Sequence, residues 1–224
     1  HNSSSNNTNT ELSSLITVLI CTYNGEEFFH DMLNSVLSQT YTNLEILFVD
    51  DGSSDATRQL IQEAEKSDSR IRHVFFFYKW LAGARNSGLK NASGDWIAII
   101  DQDDICYPTR IEEQLKVSNT HPEADLIFCD TDYIDQTGNA TTSQLSAFSL
   151  PYPVIAKKEA AYLLLKQGCF VDSESFFFKR SAIEKIGYLD ESLTYICDYE
   201  YFIRIGFKCS FAYTDQKLAA WRLH

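Results

Sequence analysis

The chain has 224 residues, 44% of them hydrophobic, and a formal net charge of -12. That length and apolar content build one ordinary globular domain, and the acidity excludes non-specific binding of nucleic acid through a basic surface. No apolar run approaches the ~20 residues that cross a bilayer, and no opening stretch reads as a signal peptide.

Residues 1–13, beginning HNSSSNNTNT, are polar and read as a disordered leader or an expression remnant; residues 14–224 read as a single domain. Ile16 to Cys21 (ITVLIC) is a continuous apolar run, the mark of a strand covered on both faces. Glu26 to Gln39 places Phe28, Phe29, Met32, Leu33, Val36 and Leu37 on one helical face. Leu44 to Val49 is a second strand, Asp55 to Lys66 a helix, Ile71 to Tyr78 a strand, Leu81 to Asn91 a helix and Trp96 to Ile100 a fourth strand. This alternation predicts an α/β fold, Rossmann-like, with a mostly parallel central sheet and helices on both faces. The second half is less regular: helices over 110–119 and 157–166, strands over 126–129 and 174–179, a polar mobile loop over 135–149, and a last helix from about Asp198 to Gly206. The chain stops abruptly at Trp221-Arg222-Leu223-His224, which reads as a truncation. Six scattered cysteines without a C-x-x-C pair read as buried, reduced thiols of a cytosolic protein.

Ligands of such sheets bind at the carboxyl ends of strands. There the chain places Cys21-Thr22-Tyr23-Asn24, Asp50-Asp51-Gly52-Ser53 and Asp101-Gln102-Asp103-Asp104. Three carboxylates within four residues, with no Lys or Arg among them, suit a hard divalent cation such as Mn²⁺ or Mg²⁺ that also takes phosphate oxygens. A solvated acidic loop or a helix N-cap is the plainer reading. A calcium loop starting at Asp101 fails, because Ile105 stands where a ligand is needed and Cys106 where the turn needs Gly. The stretch VDDGSSDAT, residues 49–57, is either an Asp-Gly turn with a capped helix or a carboxylate pair for a ribose or base. Asp198, in CDYEYFIRIG, reads on its own as a helix cap.

Four stretches together resemble the inverting, nucleotide-sugar-dependent glycosyltransferases of family 2, which have the GT-A fold: ITVLICTYNGEEF, SVLSQTYTNLEILFVDDGSSDAT, AGARNSGLKNASGDWIAIIDQDDICYP and GYLDESLTYICDYEYFIRI. The resemblance implies a nucleotide-binding half over about 14–108 and an acceptor half over about 109–224. It gives Thr22, Tyr23, Asp51 and Asp50 to the base and ribose, and Arg85 to the diphosphate or base. Asp101-Gln102-Asp103 matches the family's D-x-D motif, with Asp103 as metal ligand, Asp101 for ribose or metal-bound water, and Asp104 as a neighbour. Asp198 becomes the general base, and His224, in WRLH, a contact for the diphosphate or metal. The donor implied is a UDP-sugar, with dTDP and GDP as other carriers. The acceptor is a glycan or lipid-linked hydroxyl in polysaccharide assembly, and the setting is cytoplasmic, with peripheral association at the inner membrane face. The sequence departs from the family at Cys197, where an acidic residue is common, at Tyr78-Lys79-Trp80-Leu81, and at Asp172 and Glu174. Lys79 and Trp80 read either as a diphosphate contact and a sugar platform or as a surface helix start. A non-catalytic nucleotide- or glycan-binding relative and a sugar-phosphate nucleotidyltransferase are the competing readings. The latter needs a Gly-rich, basic loop after the first strand, and CTYNGEEF is acidic there.

Overall fold

A computed structural model describes residues 14–77 and 80–223. Two seven-residue, largely apolar segments give strands β1 (Ile16–Thr22) and β2 (Leu44–Asp50), buried along their whole length. With β3 (Ile71–Phe75) and β4 (Trp96–Asp101) they form a parallel set in the order β3-β2-β1-β4. Side chains alternate across it. Leu19, Leu47, Ile97 and Ile99 enter the core on one face, while Val18, Ile20, Ile46, Phe48, Ala98 and Ile100 enter the core on the other. Helices α1 (Phe29–Leu37) and α2 (Thr57–Ser67) cover the second face, and α3 (Trp80–Asn91) covers the first.

The sheet continues past β4. The short β5 (Ile105–Cys106) and α4 (Arg110–Thr120) lead into β6 (Ala124–Ile134), which is far longer than the expected 126–129. β7 (Ala140–Ser143) pairs antiparallel with β6, so the expected loop over 135–149 contains a strand. After β8 (Val154–Ile155) and α5 (Glu159–Gln167), the segment expected as a strand over 174–179 splits. Ser173–Ser175 is a 3-10 turn, and only Phe177–Lys179 is a strand, β9, wedged antiparallel between β4 and β6. Next come α6 (Ile183–Ile186), α7 (Cys197–Lys208) and β10 (Ser210–Arg222), a 13-residue strand that periodicity did not reveal. β10 runs parallel to β6 with register shifts between Thr214 and Ala219, so its apolar alternation breaks midway. The third strand stops at Phe75, short of the expected Tyr78. Tyr78 and Lys79 lie outside the described residues, as does His224.

A fully buried Arg110 ties α4 to β4 and to the segment entering β9. Its Nη2 donates to the carbonyls of Ile99 (3.0 Å) and Phe176 (2.9 Å), and its Nε to Gln114 Oε1 (3.1 Å). The peptide groups freed where β9 enters the sheet thus find partners without water.

Candidate active site

The carboxyl ends of β1, β2 and β4 meet side by side, with Thr22 in register with Asp50 and Cys21 with Asp101. Thr22 Oγ1 donates to Asp50 Oδ1 (3.0 Å), and Asp50 also accepts from the Ser53 amide (3.2 Å) and hydroxyl (2.5 Å). Asp50 is therefore a buried clamp for the β2 turn, and Asp51, one residue on, lines the open cavity. Asn24, at φ 51°, turns the chain back after β1; its side chain accepts from the Ser54 amide (2.8 Å) and its own amide donates to Ser53 Oγ (2.9 Å). The acidic loop is tied on in the same manner. Gln102 Oε1 accepts from the Tyr23 amide (2.8 Å) and its Nε2 donates to the Tyr23 carbonyl (3.2 Å). A methyl group at Gly25 would collide with the Gln102 amide, which explains the glycine there.

Between these loops opens a cavity of about 440 Å³ lined by Thr22, Tyr23, Asp51, Trp80, Leu81, Asp101, Gln102, Asp103 and Trp221. A second cavity, of about 240 Å³, is lined by Asp101, Asp172, Glu174, Tyr195, Asp198 and Trp221. Asp101 and Trp221 belong to both and form the wall between them.

Arg85 lies beneath that wall. It is 1% exposed and lines neither cavity; the resemblance gave it to the diphosphate or base. Its guanidinium instead forks between the two cavities: one nitrogen donates to Asp198 Oδ1, the other to Asp101 Oδ1 (2.8 Å) and Ser173 Oγ (3.0 Å). Burial, the largest influence on Arg85, works against its charge, yet Asp101 and the neighbouring groups hold its pKa above the ordinary value. Two carboxylates 97 residues apart in sequence thus share one cation.

Behind Asp101 lies a buried acidic cluster. Ligand atoms of Asp101, Asp104 and Glu174 fall within 4.8 Å of one another. Asp104 Oδ1 accepts from the Arg222 amide (2.9 Å), while Asp104 Oδ2 and Glu174 Oε1 are buried with no hydrogen-bond partner among the described residues. Burial pushes the Asp104 carboxyl up to about 9, with Asp101 and Asp103 adding to it. Burial also raises Asp172 to about 7 and Glu174 well above its ordinary range. Carboxyl groups that resist ionisation beside orphaned oxygens at this spacing are what a cation would relieve, so the residues present fit a divalent metal. Asp103 is not in this cluster; it faces the wide cavity, and its carbonyl accepts from Arg222 Nε (2.9 Å). Cys197 is buried in the core at the start of α7, and burial pushes the neighbouring Cys21 thiol up to about 12, so both stay neutral. All six cysteines are free.

Residues 17–187 match the family model described as "Glycosyl transferase family 2". The chain belongs to glycosyl transferase family 2. An uncharacterised glycosyltransferase of Rickettsia typhi is 31% identical over 95% of this chain and 65% of its own length. The Escherichia coli UDP-Glc:alpha-D-GlcNAc-diphosphoundecaprenol beta-1,3-glucosyltransferase WfgD is 44% identical over 46% of this chain and 40% of its own. Among solved structures, Staphylococcus aureus TarS 1–349 in complex with UDP superposes with a TM-score of 0.71 at 18% identity, covering 93% of this chain and 60% of that one. A Pyrobaculum calidifontis mannosyltransferase in complex with GDP-Man and Mn²⁺ gives 0.65 at 16%, covering 92% and 56%. The fold of this family 2 chain is that of the GT-A glycosyltransferases, and the chain spans about 65% of the length of its Rickettsia relative.

Several working parts of this family 2 site were not legible as such. The sequence alone assigns no role to Gln102, Ser173 or Trp221, while WRLH carries a signal for Arg222. Gln102→Ala is expected to remove both bonds to the Tyr23 backbone and loosen the wall of the larger cavity. Nucleotide affinity should fall ~5–10-fold, with little loss of thermal stability, because each bond contributes only ~0.5–1.5 kcal/mol net. Calorimetry on the variant checks it, and unchanged affinity would mean the pairing does not shape the cavity.

Proposed function

We propose that this chain is the catalytic domain of a metal-dependent, inverting glycosyltransferase that moves a sugar from a nucleoside-diphosphate sugar to a hydroxyl of a glycan or lipid-linked acceptor. UDP is the favoured carrier, which the UDP complex of TarS and the UDP-Glc donor named for WfgD both support. The observation that carries the reading is the meeting of two cavities at Asp101 and Trp221, with Asp198 in the smaller one and the acidic loop in the larger.

The larger cavity takes the donor. Tyr23 offers a half-exposed ring to the base, Asp51 accepts from ribose or base, and Trp80 and Leu81 close the far side. Asp101 would hold the divalent cation together with Asp103 from the cavity side and the orphaned oxygens of Asp104 and Glu174 from behind. Bound there, Mn²⁺ or Mg²⁺ supplies Lewis-acid stabilisation of the departing diphosphate. The smaller cavity takes the acceptor. Arg85 engages Asp198 Oδ1, which orients the carboxylate and leaves Oδ2 for a proton. Asp198 takes the proton of the acceptor hydroxyl as its oxygen bonds to the anomeric carbon; the bond from that carbon to the diphosphate breaks, and its electron pair leaves with the nucleoside diphosphate. One displacement inverts the configuration. Residues 14–224 act as one domain, in the cytoplasm and at the inner face of a membrane where lipid-linked acceptors are displayed.

A release assay with UDP-, dTDP- and GDP-sugars against diphosphate-linked acceptors, with and without Mn²⁺, tests this. Metal-dependent release matched by an inverted product is the expected result. Binding of a nucleotide with no transfer to any acceptor would favour a non-catalytic relative.

A further inference from the structure

The outward face of the α5–α7 pair does not resemble the rest of this acidic molecule. The two helices touch so closely that a methyl group at Gly206 would strike the Ala161 backbone. Each helix buries one side, through Ala160 and Leu164 on α5 and Phe202 and Ile205 on α7. The opposite sides, roughly 120–180° round each helix, carry Tyr162 (59% exposed), Leu165 (60%) and Phe207 (51%), with Ile203 half-buried on α7.

Lysines ring these apolar side chains. Lys157, Lys158 and Lys208 gather at the Gly206 end, where the Lys158 amide donates to the Gly206 carbonyl (2.7 Å) and Lys208 Nζ to the Lys185 carbonyl (2.6 Å). Lys166 lies over the Tyr162 ring, 5.6 Å from its centre. The carboxylates nearby are mostly engaged: Asp125 pairs with Lys185 (2.9 Å) and Glu200 with Arg204 (2.5 Å), which leaves Glu159 as the exposed acid on α5. A locally cationic, aromatic and aliphatic face on a chain of net charge -12 is a segregation of charge that solubility does not require.

We propose that this face docks on an anionic lipid bilayer, with Tyr162, Leu165 and Phe207 entering the headgroup boundary and the lysines meeting the lipid phosphates. Tyr and Leu with flanking Lys is the composition that partitions to such an interface, and long lysine stems let the ammonium groups stay with the phosphates. Pairing this face with the same face of a second copy would set lysines against lysines, which argues against an isologous dimer as the occupant. The geometry also joins the face to the acceptor cavity. Helix α7 begins beside that cavity at Asp198 and ends on the face at Phe207, nine residues or roughly 14 Å along its axis. Tyr195 (93% exposed) and Ile196 add exposed apolar side chains at that cavity itself. A sugar carried on a lipid diphosphate in the docked bilayer would then stand at the height of Asp198. That last step rests on the glycosyltransferase reading; the docking itself does not.

Co-sedimentation of the chain with vesicles tests it, using phosphatidylcholine alone and phosphatidylcholine with phosphatidylglycerol. Binding to the anionic vesicles, lost in phosphatidylcholine and in high salt, is expected. Lys157→Gln/Lys158→Gln/Lys208→Gln should weaken it roughly 100-fold, at about a factor of five per lysine. Tyr162→Ser/Leu165→Ser should weaken it at least ~10-fold while leaving the salt dependence in place. Nucleotide titration on each variant shows that fold and donor site are intact, so failure to dock is distinguishable from failure of the proposed activity. No binding of the intact chain to anionic vesicles, equal binding by both variants, or concentration-dependent dimers abolished by Tyr162→Ser/Leu165→Ser would each overturn the proposal.

Discussion

Asp198→Asn is expected to lower turnover ~10²–10⁴-fold, the contribution of a positioned general base, while nucleotide affinity stays within about twofold of wild type. The affinity should hold because Asp198 lines only the smaller cavity. The fold should hold too, because an amide oxygen can still accept from Arg85, although that buried guanidinium then keeps a single carboxylate partner, Asp101. Single-turnover kinetics with a saturating donor, beside calorimetry, separate the two effects. Equal loss of binding and turnover would show that Asp198 only holds the site together.

The second large effect belongs to Arg85. Removing it leaves Asp101 and Asp198 facing each other without the cation they share, and breaking such a buried pairing costs ~3–5 kcal/mol of stability. Arg85→Ala is therefore expected to unfold well below the wild-type temperature and to lose nearly all turnover. Arg85→Lys is the more informative variant. It keeps the charge but not the fork, so it can satisfy one carboxylate at a time. Stability should recover in large part, while turnover stays depressed by ~10²-fold because Asp198 is no longer aimed. Wild-type turnover in Arg85→Lys would mean that the fork does not orient the base.

The parallel half of the sheet was legible because its strands are continuous apolar runs covered on both faces, and those runs point their last residues at one rim. The acidic loop, Tyr23 and Asp51 could be placed for the same reason. What stayed hidden was set by tertiary contacts. Asp50 and Asp51 look alike in sequence, but the pleat sends one inward to Thr22 and Ser53 and the other to the cavity. Arg85 sits in a run of small residues that gives no hint of two carboxylate partners, 16 and 113 positions away. The strand from Ser210 to Arg222 breaks its own alternation at Thr214–Ala219, so no period-2 pattern survives over its length. Its last residues nonetheless carry Trp221 into the wall between the cavities and Arg222 onto the acidic loop. The motif match and its order, rather than periodicity, linked Asp198 to the rim.

On the proposed reading the acidic loop would hold a divalent cation and, through it, a nucleoside diphosphate. Calorimetric titration of UDP, dTDP and GDP into the chain, each with and without Mn²⁺, tests it most directly when repeated on Asp103→Ala and Glu174→Gln. One nucleotide should bind only with the metal and lose that dependence in Asp103→Ala, while Glu174→Gln, one layer behind, changes affinity less. Nucleotide binding that ignores both Mn²⁺ and Asp103, or no binding under any condition, would contradict the claim.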